Sequence, residues 1–458
     1  CGSAVTWGSG YVDMDGPATT ISGPGGTTGH MSRCRLKSGS TALLTNVEID
    51  AWLGNVGGAT TGEWFEMVGS FAFLSGGGNL HRLRILSGLT NSFNCSADEF
   101  ELQGGTFSVV GGQTFNAGVS ADLVGGSMAW SNPISANFRC QGTLIASSGV
   151  TFGDGFIDMD GTTTISGPGG GPARIGKLRL FSGVCTLLAP VQIDFELQSA
   201  GGTSAGDWFE MVGTDSTISS TSGSSHQVRI TGGKCSADGA TVDTLEITGG
   251  ILEVPSGEIM TVTGDANFLG GQLQFATDLF PTAARLDVLG NVAQTALAGA
   301  ATMSSKGSLR CMGTWTANAA LDLGESFVEF GEGSSVTGLV SEFHNVRIPA
   351  GSTPVSLLAP VRVSGRLESD GGVTQGQWFE MTGPSAVLAT TDDSLHEVRI
   401  LSGVTTVEVA TLDKLQLLGG ELTVPAGKTL TIVNALELLG GTLAMDPTDS
   451  GTDARIIA

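Results

Sequence analysis

Long stretches of this chain are written more than once, and that repetition limits the fold more than any other property of the sequence. Thr6–Gly26 reads TWGSGYVDMDGPATTISGPGG and Thr151–Gly170 reads TFGDGFIDMDGTTTISGPGG. EWFEMVG (Glu63–Gly69), DWFEMVG (Asp207–Gly213) and QWFEMTG (Gln377–Gly383) form a second set, and HRLRILSG, HQVRITGG and HEVRILSG, from His81, His226 and His396, a third. These landmarks divide the chain into three tandem modules of about 145–170 residues, at 1–148, 149–320 and 321–458. The second carries roughly one extra rung around Leu286–Met312, and the third stops early.

A shorter beat runs inside each module. Gly88, Gly105 and Gly126 follow one another at 17 and 21 residues, as do Gly233, Gly250 and Gly271, and again Gly403, Gly420 and Gly441. Such intervals are too short for a crossover helix, but they suit one turn of a coil built from two or three short strands. Strand parity agrees. In Leu83-Arg84-Ile85, Phe100-Glu101-Leu102 and Ala121-Asp122-Leu123 the outer residues point one way and the middle one the other. The same frame fits Val228-Arg229-Ile230 and Leu245-Glu246-Ile247, and then Val398-Arg399-Ile400 and Leu415-Gln416-Leu417. The expected fold is all-β, a parallel β-solenoid (β-helix) of roughly 23 coils at the ~4.8 Å strand spacing. Stacked in this order, each arginine should lie beside an acid or amide of the next coil, so that like charges do not pile up. His81, His226 and His396 should lie against Asp98, Asp243 and Asp413, a polar ladder at the strand ends in preference to half of a catalytic relay.

Composition supports order. Gly is 71 of 458 residues, a load common in disordered chains, but 40% of the residues are hydrophobic and they fall in short alternating runs. With 21 Lys plus Arg and a net charge of −23, the chain lacks the basic stripe that nucleic acid requires. No apolar run approaches the ~18 residues of a membrane span. The seven cysteines show neither C-x-x-C nor zinc spacing, and Cys34 stands where the second module has Leu178, so a buried thiol is expected there.

Candidate chemistry is thin. An outward Trp beside a carboxylate (Trp64/Glu66, Trp208/Glu210, Trp378/Glu380) is a carbohydrate-stacking face in one reading and a packed solenoid corner in the other. Asp13 with Asp15, and Asp158 with Asp160, resemble the front of a calcium loop, but the remaining ligands are missing. No unrepeated cluster of acids and bases suggests glycoside cleavage or lyase chemistry. The expectation is therefore a non-enzyme without cofactor or metal. The Ser-Gly-Pro-Gly-Gly segments at Ser22 and Ser166 read as turns, and Asn94-Cys95-Ser96 is a lone glycosylation sequon.

Val254-Pro255-Ser256-Gly257 through Gly270-Gly271-Gln272-Leu273, and Val424-Pro425-Ala426-Gly427 through Gly440-Gly441-Thr442-Leu443, resemble the coils of right-handed parallel β-helix surface proteins such as autotransporter passengers and filamentous adhesins. That resemblance implies the fold and a secreted, extracellular or cell-surface setting. It supplies no site. The third module breaks off at Arg455-Ile456-Ile457-Ala458, near the phase at which Cys1 begins, which is expected either of a fragment of a longer array or of subunits meeting head to tail. In the second case Cys1, Arg455, Ile456 and Ile457 would lie between subunits, and the main partner would be the protein itself. Cys1 also fits a processed or lipid-bearing start. The leading expectation is a structural subunit of an extracellular fibre, sheath or appendage. An adhesin or carbohydrate-binding stalk meeting surface glycans comes second, and a polysaccharide-degrading enzyme third.

Overall fold

A computed structural model describes residues 10–133, 135–276, 284–294, 307–317, 326–338, 341–391, 395–446 and 454–458. Strands make up 68% of it, so little but tight corners remains between them. They stack in parallel as a β-solenoid of about 20 turns. The count falls below 23 because several coils are long: Val12 faces Cys34, 22 residues on, and Met260 faces Leu286, 26 residues on. Among the described residues there is no α-helix, and no helix is long and apolar enough to cross a membrane. Pro24–Gly26 and Pro168–Gly170 are single 3₁₀ turns, as the Gly-rich segments predict. The chain divides into two compact units, Cys1–Gln227 and Val228–Ala458.

In the first unit the expected register holds. Asn79–Ile85 pairs with Cys95–Leu102, placing Arg84 opposite Glu101 and Leu83 opposite Phe100, and Thr114–Leu123 follows with Ala121 opposite Phe100. Leu83, Phe100, Ala121, Ile85, Leu102 and Leu123 are all buried. Phe100, Phe107, Phe115 and Phe138 close into one aromatic cluster, with Phe100 4.7, 5.0 and 5.5 Å from the other three ring centres. Cys34 sits opposite Val12, as Leu178 sits opposite Ile157, and both are fully buried. Burial pushes the Cys34, Cys95 and Cys185 thiols up to about 12 and those of Cys140 and Cys311 up to about 11. These thiols pack as small apolar groups in their protonated form. Cys235 is buried as well. Cys1 lies outside the described residues.

The closing glycines have a steric cause. Gly88, Gly105 and Gly126 have φ of +69°, +68° and +83°, a left-handed conformation that side chains resist. A Cβ on Gly105 would stand 2.5 Å from the Gly88 carbonyl oxygen, and one on Gly126 would stand 2.6 Å from that of Gly105. Each glycine therefore leaves room for the coil beneath it. Gly105→Ala is expected to cost at least the roughly 1–2 kcal/mol of left-handed backbone, read as a lower urea midpoint. An unchanged midpoint would mean that the corner relaxes freely.

The second unit continues the same construction. Leu395–Ile400 pairs with Val404–Leu417, which pairs with Thr429–Leu438, so Arg399, Gln416 and Glu437 follow one another on the outer face. Trp315, Phe330 and Phe343 form its aromatic core, with Trp315 5.9 and 5.4 Å from the two phenyl rings. Arg285–Val288 pairs in parallel with Ser308–Cys311, 23 residues on.

Candidate functional site

The residues with the most chemical potential lie on the outer face, and coil stacking decides what they meet. Phe65–Met67, Phe209–Met211 and Phe379–Met381 are three-residue strands whose Phe and Met are buried in every copy. Each preceding Trp is half-buried at the corner, and its backbone carbonyl accepts the N–H of the previous coil's Val47, Val191 or Val361 at 2.8, 2.9 and 3.1 Å. The Trp64 ring is covered by the Arg84 guanidinium at 4.3 Å, and the Trp378 ring by that of Arg399 at 3.3 Å. Trp378 Nε1 also donates to Glu380 Oε1 at 2.9 Å. One ring face is thus engaged in a cation–π contact with the next coil, a contact worth about 0.5–1 kcal/mol at an exposed site. The sequence carries a signal for it, since the Arg of the His-x-x-Arg-Ile motif follows its Trp by one coil length.

The three glutamates occupy equivalent places in different electrostatic company. Glu66 faces Glu48 on one side and Arg84 on the other. It accepts from Asn46 Nδ2 and Arg84 Nη1, both at 3.0 Å. Burial raises its pKa, Arg84 opposes that, and Glu48 and Glu101 add to it. Glu210 faces Gln192, and Glu380 faces Arg362, whose Nε donates to it at 3.0 Å. Glu66→Gln is therefore expected to stabilise the protein at neutral pH by about 0.5 kcal/mol, because burial, Glu48 and Glu101 together disfavour the Glu66 charge more than its ion pair with Arg84 favours it. Glu380→Gln is expected to destabilise it by about 0.5–1 kcal/mol through the lost ion pair. Paired urea titrations check the sign, and equal effects would show that the neighbouring coil does not matter.

Arginines do face acids or amides, as the stacking order predicts: Arg84 Nε meets Glu101 at 2.6 Å and Arg229 Nε meets Glu246 at 2.6 Å. The expectation that like charges never stack fails in the first unit. There Asp122 lies directly opposite Glu101, and its pKa is raised by burial and by Glu101. Alternation is most regular in the second unit, where Asp287, Arg310, Glu329, Arg347 and Glu368 succeed one another across five coils. Glu329 is bridged from both sides, by Arg310 and Arg347, at 3.2 Å each.

The histidine ladder forms where it can be followed within one unit: His81 Nδ1 is 3.3 Å from Asp98 and His396 Nδ1 is 3.5 Å from Asp413. His226 and Asp243 fall in different units. A second device escaped the sequence reading. The backbone N–H groups of His81, His226 and His396 donate to the buried hydroxyls of Thr60, Ser204 and Thr374 at 2.6, 2.7 and 3.0 Å. Nothing in local patterning marks an inward Ser or Thr as a backbone cap one coil away.

The aspartates that resemble a calcium loop are engaged across coils. Asp13 takes Arg35 and Lys37, each at 2.7 Å, and Asp15 accepts from Ser38. Asp158 takes Arg179, and Asp160 accepts from Ser182 and Gln141. Among the described residues no group of three or more His, Cys, Asp or Glu is placed to hold a metal ion. Asn94 is exposed at a left-handed corner, φ +47°. Arg455–Ile457 is a strand on Thr429–Leu438, with Arg455 and Ile457 exposed. Compared with known proteins, the chain matches no family model, no curated protein and no solved structure.

Proposed function

We propose that this protein is a structural subunit of an extracellular fibre, sheath or surface appendage, extended by the stacking of solenoid coils. One observation carries the reading: the polar residues at the repeated outer positions are largely occupied with one another, coil to coil. Trp378, Glu380, Arg362 and Arg399 are joined over successive coils, and Trp64, Glu66, Arg84 and Glu101 are joined in the same way. A chain that multiplies such columns gains length and rigidity, not a distinct reactive centre. The coil of Thr429–Leu438, Thr442–Met445 and Arg455–Ile457 exposes apolar side chains. Leu439 is 68% exposed and Ile457 56%, beside exposed Leu438 and Met445. A coil of matching register would cover them, whether it came from further chain or from a second copy, and a head-to-tail contact of this kind builds open filaments.

Electron microscopy and sedimentation of the full chain test the proposal. Filaments that disappear when Leu438 and Ile457 are both changed to lysine support it. Single particles at every concentration, or filaments indifferent to both lysines, overturn it.

A further inference from the structure

We propose that the first module carries a binding site for a neutral saccharide, in a groove that opens where Gly118 leaves a gap in an outer column. The groove has a volume of about 440 Å³ and is lined by Asn79, Asp98, Asn116, Gly118, Arg139 and Gln141, together with Ser96 and Ala97. That volume lies within the roughly 300–1,000 Å³ typical of small-molecule sites.

Gly118 makes the groove, and the fold does not require a glycine there. Its backbone is not left-handed, and an added Cβ would lie 3.8 Å from Ala97 O and Asp98 Oδ1, an ordinary contact. This sets it apart from the closing glycines, which a side chain would drive into the coil beneath. The other modules fill the place. Thr263 and Val433 stand three residues before Ala266 and Leu436, as Gly118 stands three before Ala121. The Thr263 hydroxyl donates to Asp243 at 3.0 Å, whereas Asp98, the counterpart of Asp243, is left facing the groove.

The lining fixes the ligand class. Asp98 is held from behind by Asn79 Nδ2 and by His81 Nδ1 at 3.3 Å. Arg139 is steered by Asp160 at 3.5 Å and by the Phe181 ring at 4.5 Å, and its buried Nε donates to no acceptor in the protein. Gln141 is anchored to Asp160 at 3.3 Å. One carboxylate, one guanidinium and three amides therefore converge with nearly balanced charge, so a fully ionic ligand would leave one of the two charges opposed. A planar carboxylate accepts a pair of hydroxyls, a guanidinium donates to a pair, and each amide does both. Neighbouring hydroxyls on a sugar ring meet that set. A hydrophobic ligand does not, because Ala97 carries the only apolar side chain among the lining residues.

The test is binding of the full chain to an array of neutral and acidic oligosaccharides, followed by titration calorimetry with the best retained sugar. Wild type should retain a neutral sugar, and Gly118→Thr should weaken it at least tenfold with an unchanged thermal midpoint. Gln141→Ala, a change at an exposed side chain, should weaken it severalfold and stands in if Gly118→Thr folds poorly. The inference is overturned if no neutral sugar is retained, if only acidic sugars are, or if both variants bind like wild type. It is equally overturned if binding survives both changes and is lost on Trp64→Ala or Trp378→Ala, which would move it to the tryptophan corners.

Discussion

Replacing Phe100 with alanine is expected to destabilise the first unit by about 3–5 kcal/mol, the range for emptying a well-packed aromatic site. The ring is 1% exposed and stands within 4.7–5.5 Å of Phe107, Phe115 and Phe138. Its neighbours along the stack are Leu83 and Ala121. Ala121 is too short to move into the void, and the backbone on either side is pinned by the parallel ladder, so little collapse can offset the loss. Phe100→Leu, which keeps most of the volume, should cost less than half as much. The shape of the unfolding curve should change too. In a stacked array each coil is supported by its two neighbours, and a local fault can separate flanking regions into independent transitions. A second phase in urea unfolding of Phe100→Ala is expected, with faster amide exchange centred on Cys95–Leu102. A single transition shifted by less than about 1 kcal/mol would mean that the four rings do not act as one packed unit.

The architecture was legible because it rests on periodicities that a sequence displays directly. The 17- and 21-residue intervals marked glycines that must be left-handed and side-chain-free, and triads such as Leu83-Arg84-Ile85 gave the inward residues and the lateral register. Cys34 could be assigned to the interior because it takes the place of Leu178. What stayed hidden depends on contacts between coils that no local pattern encodes. The four-phenylalanine cluster combines Phe100, an inward residue of the Phe100-Glu101-Leu102 triad, with Phe107, Phe115 and Phe138 from three other strands. At the Trp corner the sequence admits both a stacking face and a packed solenoid corner, because the guanidinium over the ring comes from a motif one coil later. Glu101 beside Asp122 went against the expected alternation because Asp122 sits in a coil whose counterparts bear Asn267 and Glu437, so the three modules do not share one charge pattern. The groove at Gly118 was the least visible feature. Its signal is a missing side chain, which shows only against Thr263 and Val433.

Arg179→Met is expected to cost about 3–5 kcal/mol at neutral pH, because it strands a buried carboxylate. Asp158 is 0% exposed, and Arg179 reaches it with Nε and Nη2, both at 2.8 Å, while Nη2 also meets Asn137 at 3.1 Å. Burial raises the Asp158 pKa and Arg179 opposes that rise. Without the arginine the folded state should bind the Asp158 proton still more tightly. An acid whose folded pKa is raised carries no penalty at pH below its unfolded value, and its penalty grows as pH climbs through the unfolded and then the folded value. The deficit of Arg179→Met relative to wild type should therefore be largest at neutral pH and shrink as the solution is acidified toward about pH 4, the ordinary aspartate range. Asp13 behaves oppositely. Arg35 and Lys37 hold its carboxyl at about 2, so its contribution is present above the ordinary aspartate value and fades as pH falls toward 2. That loss is common to both proteins and cancels in their difference. Asp158→Asn combined with Arg179→Met should restore most of the stability at neutral pH, since the amide carries no charge to strand. A deficit that holds constant down to about pH 4 would instead assign the loss to packing of Arg179 on Phe156 and Phe181, whose ring centres lie 5.0 and 5.7 Å from its guanidinium.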